Sequence, residues 1–501
     1  MHSLSSVAFF FCFSLFSLLS FGSTDQIDCH GVHTIDPPKN LSEAWFFPTG
    51  WTDSGDPPQF AANQNCSWRF TVPKGIFAFL TITTSTDPFT VTLTDSFGNW
   101  EWIYVSASRE PYFLLDPGFT VNLGARTVGQ LGMRVLWTKI GPFQPVSHQM
   151  ALGDVPFVLS SGAFDNGTVI SSASRVSLVS LPPPSSFANL APYMRNTLVF
   201  DGPTINDKYL GNLWQIYDSG NQVVSNGKYL TLYYLMPNLM LNNYILLQDY
   251  RNVERFSTYK GIACSASLCA VAIDGRNGSA AAVRMSGSPH YLKQVALGNS
   301  TLQTTFRPTL GVYTGKLREG NMLRLYSSSQ MGNELPQQFN GLFTTYVANN
   351  GVGAVYISYD ANNIKWNNAF DGRDGLLVSK NFGVSSADQN VLETFGGSNS
   401  QKLKITLNVK QAGLDGDATL TVTVADGKKT MMDTKYTSGQ LAAGASIVST
   451  GTSFTVNYDT HGSKTSGINV EFSFENGAKS SGYAVLIMML AAAAAWRTSI
   501  W

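Results

Sequence analysis

Asn65-Cys66-Ser67-Trp68-Arg69-Phe70-Thr71-Val72-Pro73-Lys74-Gly75 is the stretch whose reading decides the fold. Successive side chains of an extended strand point to opposite faces, so Cys66, Trp68 and Phe70 share one face. Pro73 lacks a backbone donor and Gly75 loosens the chain, so the strand ends there. A tryptophan two residues from a disulfide cysteine packs against the bridge, as an anchor between two sheets does. The stretch predicts a β-sandwich.

The same chemistry continues on both sides. Phe77-Ala78-Phe79-Leu80-Thr81-Ile82-Thr83 and Phe89-Thr90-Val91-Thr92-Leu93-Thr94 alternate large apolar with small or polar residues. So do Leu403-Lys404-Ile405-Thr406-Leu407-Asn408-Val409 and Leu420-Thr421-Val422-Thr423-Val424. Period-two runs rich in Thr, Val and Phe, broken by Gly, Asn and Asp, are half-buried strands. Amphipathic helical patterns are scarce, so the expected class is all-β.

Part of the pattern repeats. Phe119-Thr120-Val121-Asn122-Leu123 precedes Gly132-Met133-Arg134-Val135, and Phe454-Thr455-Val456-Asn457-Tyr458 precedes Gly467-Ile468-Asn469-Val470. Each follows a Thr/Val run that ends in an Asp turn, Thr94-Asp95-Ser96 and Ala425-Asp426-Gly427. A fainter echo is Ile216-Tyr217-Asp218-Ser219-Gly220 with Tyr229-Leu230-Thr231-Leu232-Tyr233-Tyr234. The shared spacing predicts up to three copies of one β-domain, the alternative being that unrelated strands converge on Thr and Val.

At 501 residues the chain is long enough for about three or four domains. Lys plus Arg equals Asp plus Glu at 33 each, and only 13% of residues are charged. No basic excess points to nucleic acid, and no charge run points to an interaction tail. Val7 to Phe21 is an apolar run closed by Ser20-Phe21-Gly22, which reads as a signal peptide over residues 1–22. Cys12 leaves with it. Cys29, Cys66, Cys264 and Cys269 remain, an even number that suggests two disulfides in an oxidising compartment. Three pairings are open, and Cys29 with Cys66 and Cys264 with Cys269 is the simplest. Asn40, Asn65, Asn166, Asn277 and Asn299 open glycosylation sequons, of which Asn65 is crowded by Cys66.

The other end carries a second signal. Glu475 to Gly482 is small and polar, and Tyr483 to Trp496 is apolar before Arg497. That layout predicts a GPI-attachment signal over residues 477–501, with Asn476, Ser480 or Ser481 as the attachment residue. The alternatives are a single-pass helix, although a span needs roughly 20 apolar residues, and no membrane signal at all.

Around Cys66-Ser67-Trp68 the sequence resembles CUB domains, which carry a Cys-x-Trp-x-apolar strand followed by Pro and Gly. With Trp45-Phe46-Phe47-Pro48 and Pro57-Pro58-Gln59-Phe60 it looks closer still to the nematode CUB-like family. The resemblance covers about residues 29–140, returns, weaker, over 400–475, and is faint between. It implies a β-sandwich in which Cys29 pairs with Cys66. It also implies a secreted or membrane-raft-associated protein linked to innate immune and stress responses, with no enzymatic activity. The expected architecture is a tandem of jelly-roll-like CUB-like sandwiches. Its parts are a first domain over 23–140, a middle β-domain over 141–303, and a C-terminal β-region over 304–476 that ends in a CUB-like repeat. One departure stands out. Many CUB domains hold calcium with a Glu and two Asp, yet here Asp87 and Asp95 lack the Glu partner. That site is not carried over, and no metal or cofactor is expected. Asp415-Gly416-Asp417 could offer two oxygens, or simply be a solvated turn.

Catalytic signatures are missing: no Gly-x-Ser-x-Gly, no His-Glu-x-x-His and no phosphate loop. His30, His33, His148, His290 and His461 are scattered. His30 with His33 has no carboxylate spacing that would make a metal site. Trp100-Glu101-Trp102-Ile103-Tyr104 is the remaining candidate for binding. Its three aromatics share one face at period two, suited to a sugar ring or a protein partner when exposed. Large aromatics more often form the core face of a strand. The function these features favour is a non-enzymatic cell-surface interaction protein. It would engage an extracellular protein or glycan and be held on the outer leaflet by a lipid anchor. A lectin-like surface protein and a secreted hydrolase with its site in the middle region are the alternatives.

Overall fold

The computed structural model describes residues 27–85, 91–159, 166–181, 183, 185–237, 244–262, 264, 268–285, 289–299, 307–327, 331–396 and 401–476. The expected signal peptide, Asp87, Ser480, Ser481 and the apolar tail lie outside them. The chain divides into two compact units, residues 1–140 and 141–501.

The first unit holds His30–Ile35 (β1), Trp45–Phe47 (β2), Gln59–Phe60 (β3), Gln64–Thr71 (β4), Ile76–Thr84 (β5), Val91–Thr94 (β6), Trp100–Trp102 (β7), Pro111–Leu114 (β8), Gly118–Ala125 (β9) and Gly129–Lys139 (β10). One sheet runs β1-β4-β9-β6-β7 and the other β2-β10-β5-β8, with β3 on the end of β10. The deciding stretch is β4, and its burial alternates along the strand. Cys66, Trp68 and Phe70 are buried at 1%, 2% and 3% exposure. The Trp68 ring meets Phe47 at 4.6 Å, and Phe70 stacks on Phe119 at 4.5 Å. Cys29 is bonded to Cys66 in the same core.

The second unit holds three more sandwiches. The second sandwich comprises Val146–Met150 (β11), Phe157–Leu159 (β12), Gly167–Ser172 (β13), Val176–Leu181 (β14), Thr197–Asp201 (β15), Lys208–Asn212 (β16), Val223–Val224 (β17), Tyr229–Tyr234 (β18) and Tyr244–Asp249 (β19), with a 3-10 helix over Ser185–Asn196 and an α-helix, Leu213–Ser219 (α1). The third comprises Thr258–Gly261 (β20), Leu268–Asp274 (β21), Ala280–Met285 (β22), His290–Asn299 (β23), Thr309–Thr314 (β24), Met322–Ser327 (β25), Gln337–Phe339 (β26), Phe343–Asn349 (β27) and Gly351–Ser358 (β28). The fourth comprises Asp374–Val378 (β29), Val391–Gly396 (β30), Leu403–Ala412 (β31), Thr419–Asp426 (β32), Lys429–Tyr436 (β33), Ser446–Gly451 (β34), Ser453–Asp459 (β35) and Ile468–Asn476 (β36).

One topology recurs. With β3 set aside, the strands of the first sandwich count from its own start. One sheet then reads first-third-eighth-fifth-sixth and the other second-ninth-fourth-seventh. The second and third sandwiches repeat both orders. In all three the first strand lies parallel to the third: β1 with β4, β11 with β13, β20 with β22. Among the described residues the fourth has the same two sheets without the first strand, β30-β35-β32-β33 and β29-β36-β31-β34.

The sequence echoes fall on equivalent places. Phe119 and Phe454 lie on the eighth strands, β9 and β35. Gly132 lies on the ninth strand β10, and Gly467 directly precedes its counterpart β36. Asp95 and Asp426 lie where the fifth strand turns into the sixth. The fainter echo divides: Tyr229–Tyr234 is again the eighth strand, whereas Ile216 to Ser219 belong to α1. A capping box explains the helix. The Asn212 side chain accepts from the Gln215 N–H, the Gln215 side chain accepts from the Asn212 N–H, and Gly220 closes it at φ +66°.

Among the described residues there are therefore four copies where three at most were expected. The expected boundary at 303/304 falls between β23 and β24, inside the third sandwich, whose core spans both. No composition shift marks the true joint near residue 360, because linker and strands share the same residue types. A further apolar cluster joins the second and third sandwiches, with Leu181 and Leu246 against Phe256, Tyr259 and Phe343.

Candidate functional site

The exposed aromatics of the first sandwich form the best-defined surface feature. Strand β6 buries Val91 and Leu93 and turns Thr92 and Thr94 outward. Register then decides the fate of β7. Trp102 sits opposite Thr92 and Trp100 opposite Thr94, so both tryptophans take the outer face. The core placement common for large aromatics does not hold here: Trp100 is 61% and Tyr104 42% exposed, with Trp102 half-buried. The two indoles meet edge to face at 5.6 Å. Ile103, fully buried, anchors the strip, and its N–H donates to Val91 O at 2.9 Å. Phe97 and Val105 extend the exposed apolar surface.

The hairpin that carries the strip is held by its own turn. The Asp95 carboxylate accepts from the Phe97 N–H, the Asn99 N–H and the Asn99 side-chain amide, each at 2.9 Å. Gly98 takes φ +84°, which a residue with a Cβ rarely adopts. Asp95 thus serves the turn. Beside the tryptophans the outer face is polar. One row across the sheet runs Ser67, Asn122, Thr92, Trp102. Ser67 donates to Asn122 Oδ1 at 2.8 Å, and Asn122 Nδ2 donates to Thr92 Oγ1 at 3.4 Å. The next row runs Arg69, Thr120, Thr94, Trp100. The result is a hydroxyl- and amide-bearing face that ends in an aromatic pair.

The other marked residues are spread over the chain. Cys264 and Cys269 are bonded, closing the short connection from β20 to β21. Asn40, Asn65 and Asn277 are exposed. Asn166 is half-buried, and its Nδ2 donates to Pro142 O at 3.0 Å. Asn299 ends β23. Asn476 ends β36, and its N–H donates to the Asp371 carboxylate at 2.7 Å. His30 meets Asp28 at 3.0 Å on the surface, and His33 lies near the Cys29 sulfur. Asp415 and Asp417 flank Gly416 in the turn between β31 and β32. Among the described residues no group of three His, Cys, Asp or Glu is placed to hold a metal ion. No helix among them is long and apolar enough to cross a membrane.

The third sandwich contains polar chemistry that residue spacing did not reveal. Arg284 and His290 are both buried, at 1% and 0% exposure. Arg284 NH1 donates to His290 Nδ1 at 2.8 Å, and Arg284 Nε donates to Tyr359 Oη at 2.9 Å. A guanidinium has only donors, so His290 carries its proton on Nε2 and donates it to Tyr346 Oη at 2.6 Å. Burial first, and the Arg284 charge second, hold His290 well below its ordinary pKa of 6.5. An arginine in the otherwise small, apolar run Ala280-Ala281-Ala282-Val283 was the available signal.

This network has a pH consequence. Below pH 6.5 the unfolded His290 takes a proton that the folded one refuses. The unfolded state then binds more protons, so stability falls on acidification. The expected slope is up to about 1.4 kcal/mol per pH unit below that point. Urea unfolding of the wild type and His290→Gln at pH 5 and pH 7.5 checks it. The variant is expected to show the flatter dependence, and equal slopes would count against the assignment.

Residues 24–141 match the model of the family described as CUB-like domain. Residues 151–235 match Domain of unknown function (DUF7592), and residues 251–360 match Domain of unknown function (DUF7591). No curated protein matches the chain. Among solved structures the chain is similar to the CUB1-EGF-CUB2 domain of human MASP-1/3 at 12% identity, covering 42% of this chain and 100% of that one with a TM-score of 0.16. It is similar to the CUB1-EGF-CUB2 domains of rat MASP-1 at 10% identity, covering 43% and 99% with a TM-score of 0.17. A CUB-like domain is thus present in residues 24–141, the part of the chain that carries Trp100, Trp102 and Tyr104.

Proposed function

We propose that this protein is a non-enzymatic extracellular interaction protein that engages its partner through the outer face of the first sandwich. One observation carries the reading: Trp100 and Tyr104 stand on solvent with Phe97 and Val105, and half-buried Trp102 beside them, on a hairpin fixed by Asp95. Aromatic side chains supply large contact area at low entropic cost, which is why they concentrate in binding surfaces. The two disulfides suit an oxidising compartment. In this reading the chain is exported, glycosylated and held at the cell surface by a GPI anchor at Asn476, Ser480 or Ser481. There it acts in host defence or stress response at an epithelium.

A second reading has a specific observation behind it. The Ser67–Asn122–Thr92 row beside Trp102 offers hydroxyls and amides at the edge of an aromatic ring. That combination suits a sugar, which stacks its apolar face and hydrogen-bonds its rim.

One experiment addresses both. Protein released from expressing cells by phosphatidylinositol-specific phospholipase C is applied to a glycan array and to an array of extracellular protein domains. Trp100→Ala and Trp102→Ala are run alongside. Release, and a tenfold or greater loss of binding in either variant with unchanged melting temperature, is the expected result. Membrane attachment that survives the enzyme would overturn the anchor. Binding that ignores both tryptophans would overturn the site.

A further inference from the structure

Among the described residues the fourth sandwich lacks the first strand, so its third strand lies at the sheet edge, a position that the first strand takes in the other three. The third strand of each of the first three sandwiches, β4, β13 and β22, carries a parallel neighbour on its outer side. The counterpart in the fourth is β30, whose one partner strand among the described residues is β35, so that it lies at the edge of its sheet.

Only one end of that edge is occupied. The Gly396 N–H donates to Asn367 O at 3.3 Å, and Gly396 O accepts from the Ala369 N–H at 3.1 Å. This is a single parallel bridge, Asn368 with Gly396. Thr394 O accepts from Asn367 Nδ2 at 2.9 Å. Since alternate residues of an edge strand point their backbone groups outward, Leu392 and Thr394 face the same way as Gly396. Among the described residues the Leu392 N–H, the Leu392 carbonyl and the Thr394 N–H have no partner on that side. Leu392 is 68% exposed, the highest value of any exposed large apolar residue among them. Beside it lies a cavity of about 190 Å³ lined by Asn340, Lys380, Asn390, Val391, Leu392 and Glu393, among others. Asn340 Oδ1 is buried there with no hydrogen-bond partner among the described residues.

We propose that the open edge of β30 is a strand-addition site that takes an extended peptide of a partner protein, parallel to β30, in the place that each other sandwich fills with its own first strand. The peptide would be short and free of proline, since β20 fills the same place with four residues. It would cover Leu392 with an apolar side chain and direct a donor to Asn340 Oδ1. Backbone pairing supplies affinity and alternate side chains supply selectivity in such additions.

Two other occupants fit less well. The chain's own preceding segment is already used: Ile364 and Trp366 are buried in the fourth core, where Trp366 packs on Phe395 at 4.8 Å. A second copy pairing β30 to β30 about a two-fold axis would run antiparallel, not parallel as in the other sandwiches.

The test uses the full chain and is independent of the aromatic face on the first sandwich. A phage-displayed library of linear peptides is selected on the wild type, and selected peptides are compared on Leu392→Pro. Proline is tolerated where the N–H faces outward on an edge, so this variant keeps the fold while removing the donor. Hydrogen exchange reads the Leu392 and Thr394 amides directly. The expected result is peptides that slow exchange at both amides at least tenfold and lose at least tenfold in affinity on Leu392→Pro. Peptides equally good on both proteins would overturn the proposal. So would amides already slow in the free monomer, which would mean the chain covers its own edge. Protection that rises with protein concentration alone would assign the edge to a second copy instead.

Discussion

Arg373→Ala is expected to destabilise the second unit by about 4 kcal/mol, the largest effect of any single substitution considered. Arg373 is 1% exposed and stands at the entry to the fourth sandwich. Its NH1 donates to Asn333 O at 2.8 Å and also to Asp374 O. Its NH2 donates to Pro336 O at 2.6 Å and Trp366 O at 3.2 Å. Asn333 and Pro336 belong to the third sandwich and Trp366 to the linker, so one guanidinium ties three segments. Truncation leaves these carbonyls buried without donors, at about 1–3 kcal/mol for each that water cannot reach. Burial lowers the pKa of Arg373 to about 10, which still leaves it charged at neutral pH. Arg373→Lys keeps the charge but not the fork, and is expected to recover less than half of the loss. Urea unfolding and hydrogen exchange over residues 366–376 are the measurements. An Arg373→Met protein as stable as the wild type would show that packing, not the four donations, matters there.

The second large effect is expected in the first unit. Replacing Cys29 and Cys66 together with serine should cost about 4 kcal/mol, from the chain entropy released when a loop of 37 residues is no longer closed. The same replacement at Cys264 and Cys269, where the separation is 5, should cost about 2 kcal/mol. Thermal unfolding of the two double variants compares them. Equal losses would mean that loop entropy is not the main contribution. The first pair also serves packing, since Cys66 lies in the core with Trp68, whereas Cys264 and Cys269 only border theirs.

How much of this was legible in the sequence depends on the range of the interaction. Strand chemistry is local, so β4, β5, β31 and β32 could be read from alternation. The repeat was legible through the eighth strands and the Asp turns, because a hairpin fixes both residue type and spacing. The third copy went unseen because its eighth strand, Phe343-Thr344-Thr345-Tyr346-Val347, has neither the Phe-Thr-Val-Asn of Phe119–Leu123 and Phe454–Tyr458 nor the Leu-Thr-Leu of Tyr229–Tyr234. Whether Trp100 and Trp102 face in or out could not be settled locally. Alternation puts them on one face, and only their pairing with Thr92 and Thr94 says which face it is. Arg284 with His290 and Arg373 with its carbonyls were out of reach, because their partners come from other strands and loops. The open edge of β30 was invisible for a further reason. It is defined by a strand that, among the described residues, three sandwiches have and the fourth does not, and only the topology shows the difference.

The Cys29–Cys66 bridge also fixes how far the first domain can be drawn out. It ties the chain just before β1 to the start of β4, across 37 residues that include β1, β2 and β3. Fully extended, such a segment would reach about 130 Å. While the bond stands, that contour length is withheld. A partner pulling on the outer face of the first domain would therefore load β4 and β9 without paying out the segment before them, and a reducing environment would release it.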